Sequence, residues 1–132
     1  MSLLKIIYID DDADIRTIVG MSLSLDPSIN VRIAASGQEG LDLLVGGYRP
    51  DVVILDVMMP GMSGPQVLDA MRSNPAHTGI PVIFMTAKGR AMDMEFYREQ
   101  GAIGVILKPF DPLELARDVR ALLAGNPPTK PV

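Results

Sequence analysis

Val52-Val53-Ile54-Leu55-Asp56-Val57-Met58-Met59-Pro60-Gly61 is the stretch on which the reading of this chain turns. Four consecutive apolar residues, each β-branched or leucine, describe a short strand buried on both faces. The run stops at a carboxylate, and Pro60-Gly61 then turns the chain. Asp56 therefore emerges at the C-terminal end of a mid-sheet strand. Asp is also a common turn residue, so this stretch alone leaves open whether Asp56 does more than start a loop.

The same grammar recurs on either side. Leu4 to Ile9 reads as a first strand ending in Asp10-Asp11-Asp12. Ala13 to Leu25 has helical spacing, with Ile15, Ile18, Val19, Ser22 and Leu25 expected to share one face and Asp11 or Asp12 expected to cap it. Asn30 to Ala35 is a weaker strand, because Arg32 interrupts it, and an edge position is predicted. Ser36-Gly37-Gln38-Glu39 and Ser63-Gly64-Pro65-Gln66 have capping-box spacing and open the second and third helices. The second helix ends at Gly46-Gly47, and the third carries Val67, Leu68 and Met71. Pro81 to Met85, ending at Thr86, and Val105 to Leu107, ending at Lys108-Pro109, are the last two strands. A fourth helix is predicted over roughly 90–100. The last should begin at Asp111-Pro112-Leu113-Glu114 and carry an apolar stripe of Leu115, Val119, Leu122 and Leu123. Five strands alternating with five helices imply a mostly parallel sheet with helices on both faces.

A chain of 132 residues is expected to form one domain, and 48% hydrophobic residues argue against global disorder. The net charge of −4 (12 basic minus 16 acidic) and the lack of any basic run speak against a nucleic-acid surface in this segment. The absence of cysteine excludes disulfides and thiolate chemistry and fits a cytoplasmic protein. No apolar stretch reaches the roughly 18 residues a membrane helix needs. Residues 125–132, with three prolines, read as a tail or the start of a linker after a domain over 1–124.

All strands of a parallel sheet end on one edge, and open α/β sheets bind ligands there. The polar residues at the ends of the strong strands are Asp10 and Asp11, Asp56, Thr86 and Lys108. Three carboxylates a few ångströms apart repel by about 4 kcal/mol per pair at an effective dielectric near 20. Either some protonate or a cation sits among them. Hard oxygens without His or Cys select Mg2+, with Mn2+ or Ca2+ as alternatives. An Asp flanked by a divalent cation, a Lys and a hydroxyl is equipped to accept a phosphoryl group. Thr86 would hydrogen-bond a phosphoryl oxygen, and Lys108 would neutralise developing charge. Asp12 and Asp14 read as a helix cap and a solvated charge, His77 as neither ligand nor phosphodonor, and most of the methionines as core filler.

Asp10-Asp11, Asp56 with Met59-Pro60-Gly61 behind it, Thr86-Ala87 and Lys108-Pro109-Phe110 together resemble the receiver (CheY-like) domain of bacterial two-component response regulators. The resemblance runs from about Leu4 to Ala124. It implies a flavodoxin-like (βα)5 fold, a doubly wound five-stranded parallel sheet of strand order 2-1-3-4-5. It also implies a phosphorelay role in which Asp56 takes phosphate from a histidine kinase or phosphotransfer protein. Asp10, Asp11, Asp56 and the Met58 backbone carbonyl would hold Mg2+, with Mn2+ an alternative, and Lys108-Pro109 is a candidate cis peptide. Such a domain is a switch that catalyses only its own phosphorylation and slow autodephosphorylation. Its downstream effector would bind the fourth helix, last strand and last helix of a monomer or a phosphorylation-dependent dimer, away from nucleic acid and membrane.

One departure stands out. Receivers usually carry Tyr or Phe three residues before the Lys, where this chain has Val105. A Val cannot swing a ring between buried and exposed positions, so a switch rerouted through Thr86 and the fourth helix is expected. Met92, Met94, Phe96 and Tyr97 crowd that helix, so some must face outward. Lys88 lies where receivers vary in controlling attack by water. A competing reading, a Mg2+-dependent aspartyl-phosphate phosphatase, wants a second Asp two residues after the nucleophile, where Met58 stands. An FMN carrier of the same fold needs a neutral phosphate loop after the first strand, where Asp10-Asp11-Asp12 would repel the phosphate.

Overall fold

A computed structural model describes residues 3–87 and 91–125. Lys88, the side chain of Met92 and the tail from 126 onward lie outside the described residues. In chain order the elements are β1 (Leu4–Ile9), α1 (Ala13–Ser24), β2 (Ile29–Ala34), α2 (Gly37–Val45), β3 (Val52–Asp56), α3 (Gly64–Arg72), β4 (Val82–Thr86), α4 (Ala91–Glu99), β5 (Gly104–Leu107) and α5 (Leu115–Leu123). The five strands form one sheet in the order β2-β1-β3-β4-β5, every neighbouring pair parallel. This is the expected doubly wound topology, with β3 at its centre and β2 on an edge. No helix among the described residues is long and apolar enough to cross a membrane.

Period-two alternation along the strands builds two cores. Ile7 and Ile9 of β1, Val53 and Leu55 of β3, and Val82 and Phe84 of β4 pack with Leu44 of α2 and Val67, Leu68 and Met71 of α3. Met94 and Tyr97 of α4 close that side. Ile6, Tyr8, Val52, Ile54, Ile83, Met85 and Ile106 pack on the other face with Val19 and Leu23 of α1 and Leu115, Val119 and Leu122 of α5. Every residue of β3 is buried. At about 1.5–3 kcal/mol gross for each fully buried aliphatic side chain, Val52 to Leu55 anchor the strand that delivers Asp56.

Local signals placed most boundaries. Asp12 is the cap of α1, its Oδ1 accepting from the amides of Asp14 (2.9 Å) and Ile15 (3.2 Å). Ser63 and Gln66 form both halves of the capping box of α3. Strands β2 and β5 each begin one residue earlier than predicted, and β4 one later because Pro81 has no amide to give the ladder. One expectation fails and a second holds only in part. The last helix begins at Leu115 rather than at Asp111, because Asp111 closes a separate turn. Its Oδ1 accepts from the amide of Leu113 (2.9 Å) and its carbonyl from that of Glu114 (3.0 Å). The covered face of α1 agrees with the predicted one only at Ile15, Val19 and Ser22. Val19, Ser22 and Leu23 are buried, whereas Ile18 and Leu25 are exposed together with Met21. A helix apolar over much of its circumference is turned by its neighbours, and here the Ser22 hydroxyl donates to the carbonyl of Pro112, fixing α1 against the chain entering α5.

Gly64, the first residue of α3, passes under the end of β3. A Cβ there would stand 2.6 Å from the Asp56 carbonyl oxygen and 3.1 Å from Val57 Cα, both backbone atoms that no rotamer change can move. Gly64→Ala should therefore destabilise the fold by about 1–3 kcal/mol, the usual range for overpacking. Urea unfolding measures this, and a midpoint equal to wild type would show that α3 can move away freely.

Candidate functional site

The carboxyl edge of the sheet collects the acids. Asp10 comes directly after β1, its amide donating to the carbonyl of Ala34 on β2 (3.2 Å). Asp56 ends β3, and both carboxylates are buried while Asp11 beside them is exposed. One oxygen from each of Asp10, Asp11 and Asp56 can be chosen so that all lie within 4.8 Å of one another. Lys108, just after β5, reaches across the edge. Its Nζ stands 2.9 Å from Asp56 Oδ1 and 3.1 Å from Asp10 Oδ2. Backbone bonds hold the pieces together: the amide of Lys108 donates to the carbonyl of Thr86 (2.8 Å), and that of Val57 to Met85 (3.1 Å). The Lys108-Pro109 peptide is cis, as expected.

Each predicted residue thus has a place. Asp10, Asp11, Asp56 and Lys108 are brought into one cluster, and Thr86 ends β4 buried beside them in the sheet. Met58 lies in the loop after β3 with its side chain exposed. Asp12 is occupied in capping α1, and Asp14 is exposed. His77 is buried in the loop before β4, away from the carboxyl edge.

Two contributors escaped the sequence reading. Arg16, one turn into α1, donates from a guanidinium nitrogen to the backbone carbonyl of Asp10 (2.9 Å). Tyr8, fully buried on β1, donates its hydroxyl to Asp10 Oδ2 at 2.5 Å. The signal for Tyr8 was present: residues two apart on a strand share a face, so a phenol at 8 can serve a carboxylate at 10.

Electrostatics arise from this crowding. Burial raises the Asp56 carboxyl above its ordinary value; the Lys108 hydrogen bond opposes that shift, and the charges of Asp10 and Asp11 reinforce it. For Lys108, burial works against the ammonium, but hydrogen bonds to Asp56 and Asp10 prevail and raise its pKa. It therefore stays charged at neutral pH. Burial, with the Asp10 hydrogen bond next, raises the Tyr8 phenol and keeps it a donor. The donor set suits a hard divalent cation. Oxygens on one octahedral Mg2+ at about 2.0–2.1 Å stand about 2.9 Å apart when adjacent and about 4.2 Å when opposite, so these three, now within 4.8 Å of one another, would draw together around the ion.

A second feature leads away from the site. Val105 is buried and sits opposite Phe84 in the register between β4 and β5. The Tyr97 ring of α4 lies on Phe84, with centroids 5.1 Å apart and planes at 59°. Phe96, half exposed, meets Tyr97 edge-on at 5.7 Å. Phe84 and Thr86 are two residues apart on one strand and share its face.

Known proteins resemble this chain in sequence and fold. The family described as response regulator receiver domain matches residues 6–120. The DNA-binding response regulator MtrA of Mycolicibacterium paratuberculosis is 36% identical over 122 residues, covering 92% of this chain and 52% of MtrA. The chain thus spans about half the length of that curated relative. Among solved structures, the chemotaxis response regulator CheY4 of Vibrio cholerae aligns with a TM-score of 0.82 at 30% identity, covering 92% of this chain and 99% of that one. The signal receiver domain of a histidine kinase from Syntrophus aciditrophicus aligns with a TM-score of 0.76 at 27% identity, covering 97% and 96%.

The raised Asp56 carboxyl has a consequence for stability. A group that binds its proton more tightly when folded contributes fully below its unfolded pKa, and that contribution is lost as pH rises through the folded value. In EDTA, the unfolding free energy of wild type minus that of Asp56→Asn should therefore fall as pH increases above the ordinary 3.8. Paired urea titrations between about pH 4 and 7 test the sign, and a difference that grows with pH would refute it.

Proposed function

The chain belongs to the response regulator receiver domain family, and from that premise we propose that Asp56 is the phosphoacceptor of a two-component phosphorelay. The observation that carries this reading is Lys108 Nζ bridging Asp56 and Asp10, with Asp11 alongside. A lone buried acid would be a packing defect. An acid at the end of a rigid central strand, tied to an ammonium and flanked by two more carboxylates, is prepared for an incoming phosphoryl group.

The donor is a phosphohistidine of a sensor kinase or phosphotransfer protein. An Asp56 carboxylate oxygen bonds to phosphorus while the N–P bond of the donor breaks. The imidazole leaves with that electron pair and is neutral once protonated. Lys108 meets the negative charge arriving on the phosphoryl oxygens, and the Thr86 hydroxyl donates to one of them. Asp10, Asp11, Asp56 and the Met58 carbonyl would hold Mg2+, or Mn2+, which supplies Lewis-acid neutralisation of phosphoryl charge when bound. The reading makes the domain a cytoplasmic switch rather than a metabolic enzyme.

The output leaves through α4, β5 and α5. With Val105 in place of a ring, the aromatic series Phe84, Tyr97 and Phe96 supports a route from the end of β4 to the surface of α4. Thr86 moving toward the phosphoryl group draws on the strand that carries Phe84, and Tyr97 passes the shift to half-exposed Phe96. A partner protein or effector domain on this face, next to exposed Ile103 and Leu107, reads the change.

Incubation with acetyl phosphate and Mg2+ should add one phosphoryl group to the intact mass, and the adduct should be absent from Asp56→Asn and from an EDTA control. An adduct that persists in Asp56→Asn would move the acceptor elsewhere. Failure to take up either phosphate or beryllofluoride would end the phosphorelay reading. On phosphorylation the amide signals of α4 should shift, and Tyr97→Ala should reduce those shifts while Asp56 still takes the phosphoryl group.

A further inference from the structure

Tyr8 is fully buried among aliphatic side chains and Met85, a setting in which phenylalanine would pack as well. Its hydroxyl spends its proton on the buried acid of the site, at 2.5 Å from Asp10 Oδ2, with Met85 Sδ 3.5 Å away on the other side. An ionised carboxylate offers about four lone-pair sites, two on each oxygen. On Asp10, Oδ2 accepts from Tyr8 and from Lys108 Nζ (3.1 Å), which uses both of its sites. Oδ1 accepts from the backbone amide of Asp12 (3.0 Å), which uses one. Among the described residues one lone pair remains, and it belongs to Oδ1.

We propose that Tyr8 is a positioning residue for the divalent-cation pocket: with Lys108 it saturates Oδ2 of Asp10, so that Oδ1 is the oxygen presented to the ion. Lys108 alone holds Oδ2 poorly, because its ammonium is shared with Asp56 Oδ1 and sits on a long, flexible stem. The phenol is held by two torsions in a packed core and approaches from inside the sheet, where neither water nor phosphate competes. Donors behind a ligating carboxylate commonly change metal affinity 10- to 100-fold when removed. The inference rests on the receiver reading for the purpose of the ion, but its central measurement does not involve phosphate.

Mn2+ binding followed by electron paramagnetic resonance, on wild type and on Tyr8→Phe, tests it. Loss of the hydroxyl should weaken Mn2+ binding about tenfold. The Mg2+ concentration giving half-maximal phosphorylation by acetyl phosphate should rise by the same factor, while the rate at saturating Mg2+ stays within about twofold of wild type. A purely structural phenol would lower the urea midpoint and leave the Mn2+ affinity unchanged, and that result overturns the proposal. A second measurement needs no variant. The hydroxyl proton of Tyr8 should give a slowly exchanging, downfield proton signal in wild type that persists when Mg2+ is added, and its disappearance on adding Mg2+ would also overturn the proposal. Should wild type bind Mn2+ but never take phosphate, the phosphorelay reading falls while the comparison of affinities still decides the role of Tyr8. A wild type that binds no Mn2+ removes the proposal as well.

Discussion

Everything at the carboxyl edge depends on holding like charges together where they are least welcome. Asp10 and Asp56 are buried at the ends of adjacent strands, with Asp11 next to them, and only compensating positive charge makes that arrangement tolerable. Lys108 supplies it with one ammonium shared between two carboxylates. Truncating Lys108 would leave two buried carboxylates uncompensated, at a cost of several kcal/mol. The apolar sheet beneath makes the crowding rigid. With β3 buried along its whole length, Asp56 cannot retreat into solvent without dragging the centre of the sheet with it.

Around this cluster the backbone does most of the positioning. The Lys108 amide bonds to Thr86, the Val57 amide to Met85, and the Gly64 amide to Val57 (3.0 Å), so the loops after β3 and β5 are tied to the end of β4. The side chains that make chemistry are therefore few, while those that hold them are spread over every layer of the fold. Tyr8 reaches Asp10 from the α1 and α5 face, and Arg16 from the first turns of α1. On the opposite face, Phe84, Tyr97 and Phe96 link the end of β4 to the surface of α4. The sheet thus has these hydrogen-bond donors to Asp10 on one face and the aromatic series on the other.

The exposed stripe on α1 shows how far pattern alone can mislead. Ile15, Ile18, Val19, Ser22 and Leu25 fit one helical arc on paper, but the covered arc is centred on Val19, Ser22 and Leu23. Apolar residues surround so much of this helix that periodicity admits more than one buried face. The choice fell to the neighbours: the contact of Ser22 with the chain before α5 and the packing against β1 set its rotation. The late start of α5 has a related cause. Asp111-Pro112-Leu113-Glu114 has the residues of a helix start, yet the Asp111 carboxylate and carbonyl close their own turn first.

The order and kind of the elements, the central place of β3, the edge place of β2 and the residues gathered at the carboxyl edge were all legible in the sequence. These are consequences of short-range rules. Consecutive β-branched residues, capping serines and glycine stops act within a few positions, and a parallel sheet aligns all strand ends once its strands are known. Packing in three dimensions settled the rest: which oxygen bonds to which donor, that Tyr8 stands behind Asp10, that Arg16 holds its carbonyl, and that an α4 ring lies on Phe84 opposite Val105. Those facts depend on distances between residues far apart in the chain, up to the 98 positions between Asp10 and Lys108. Such distances are set by the close fit of whole layers, which no local pattern encodes.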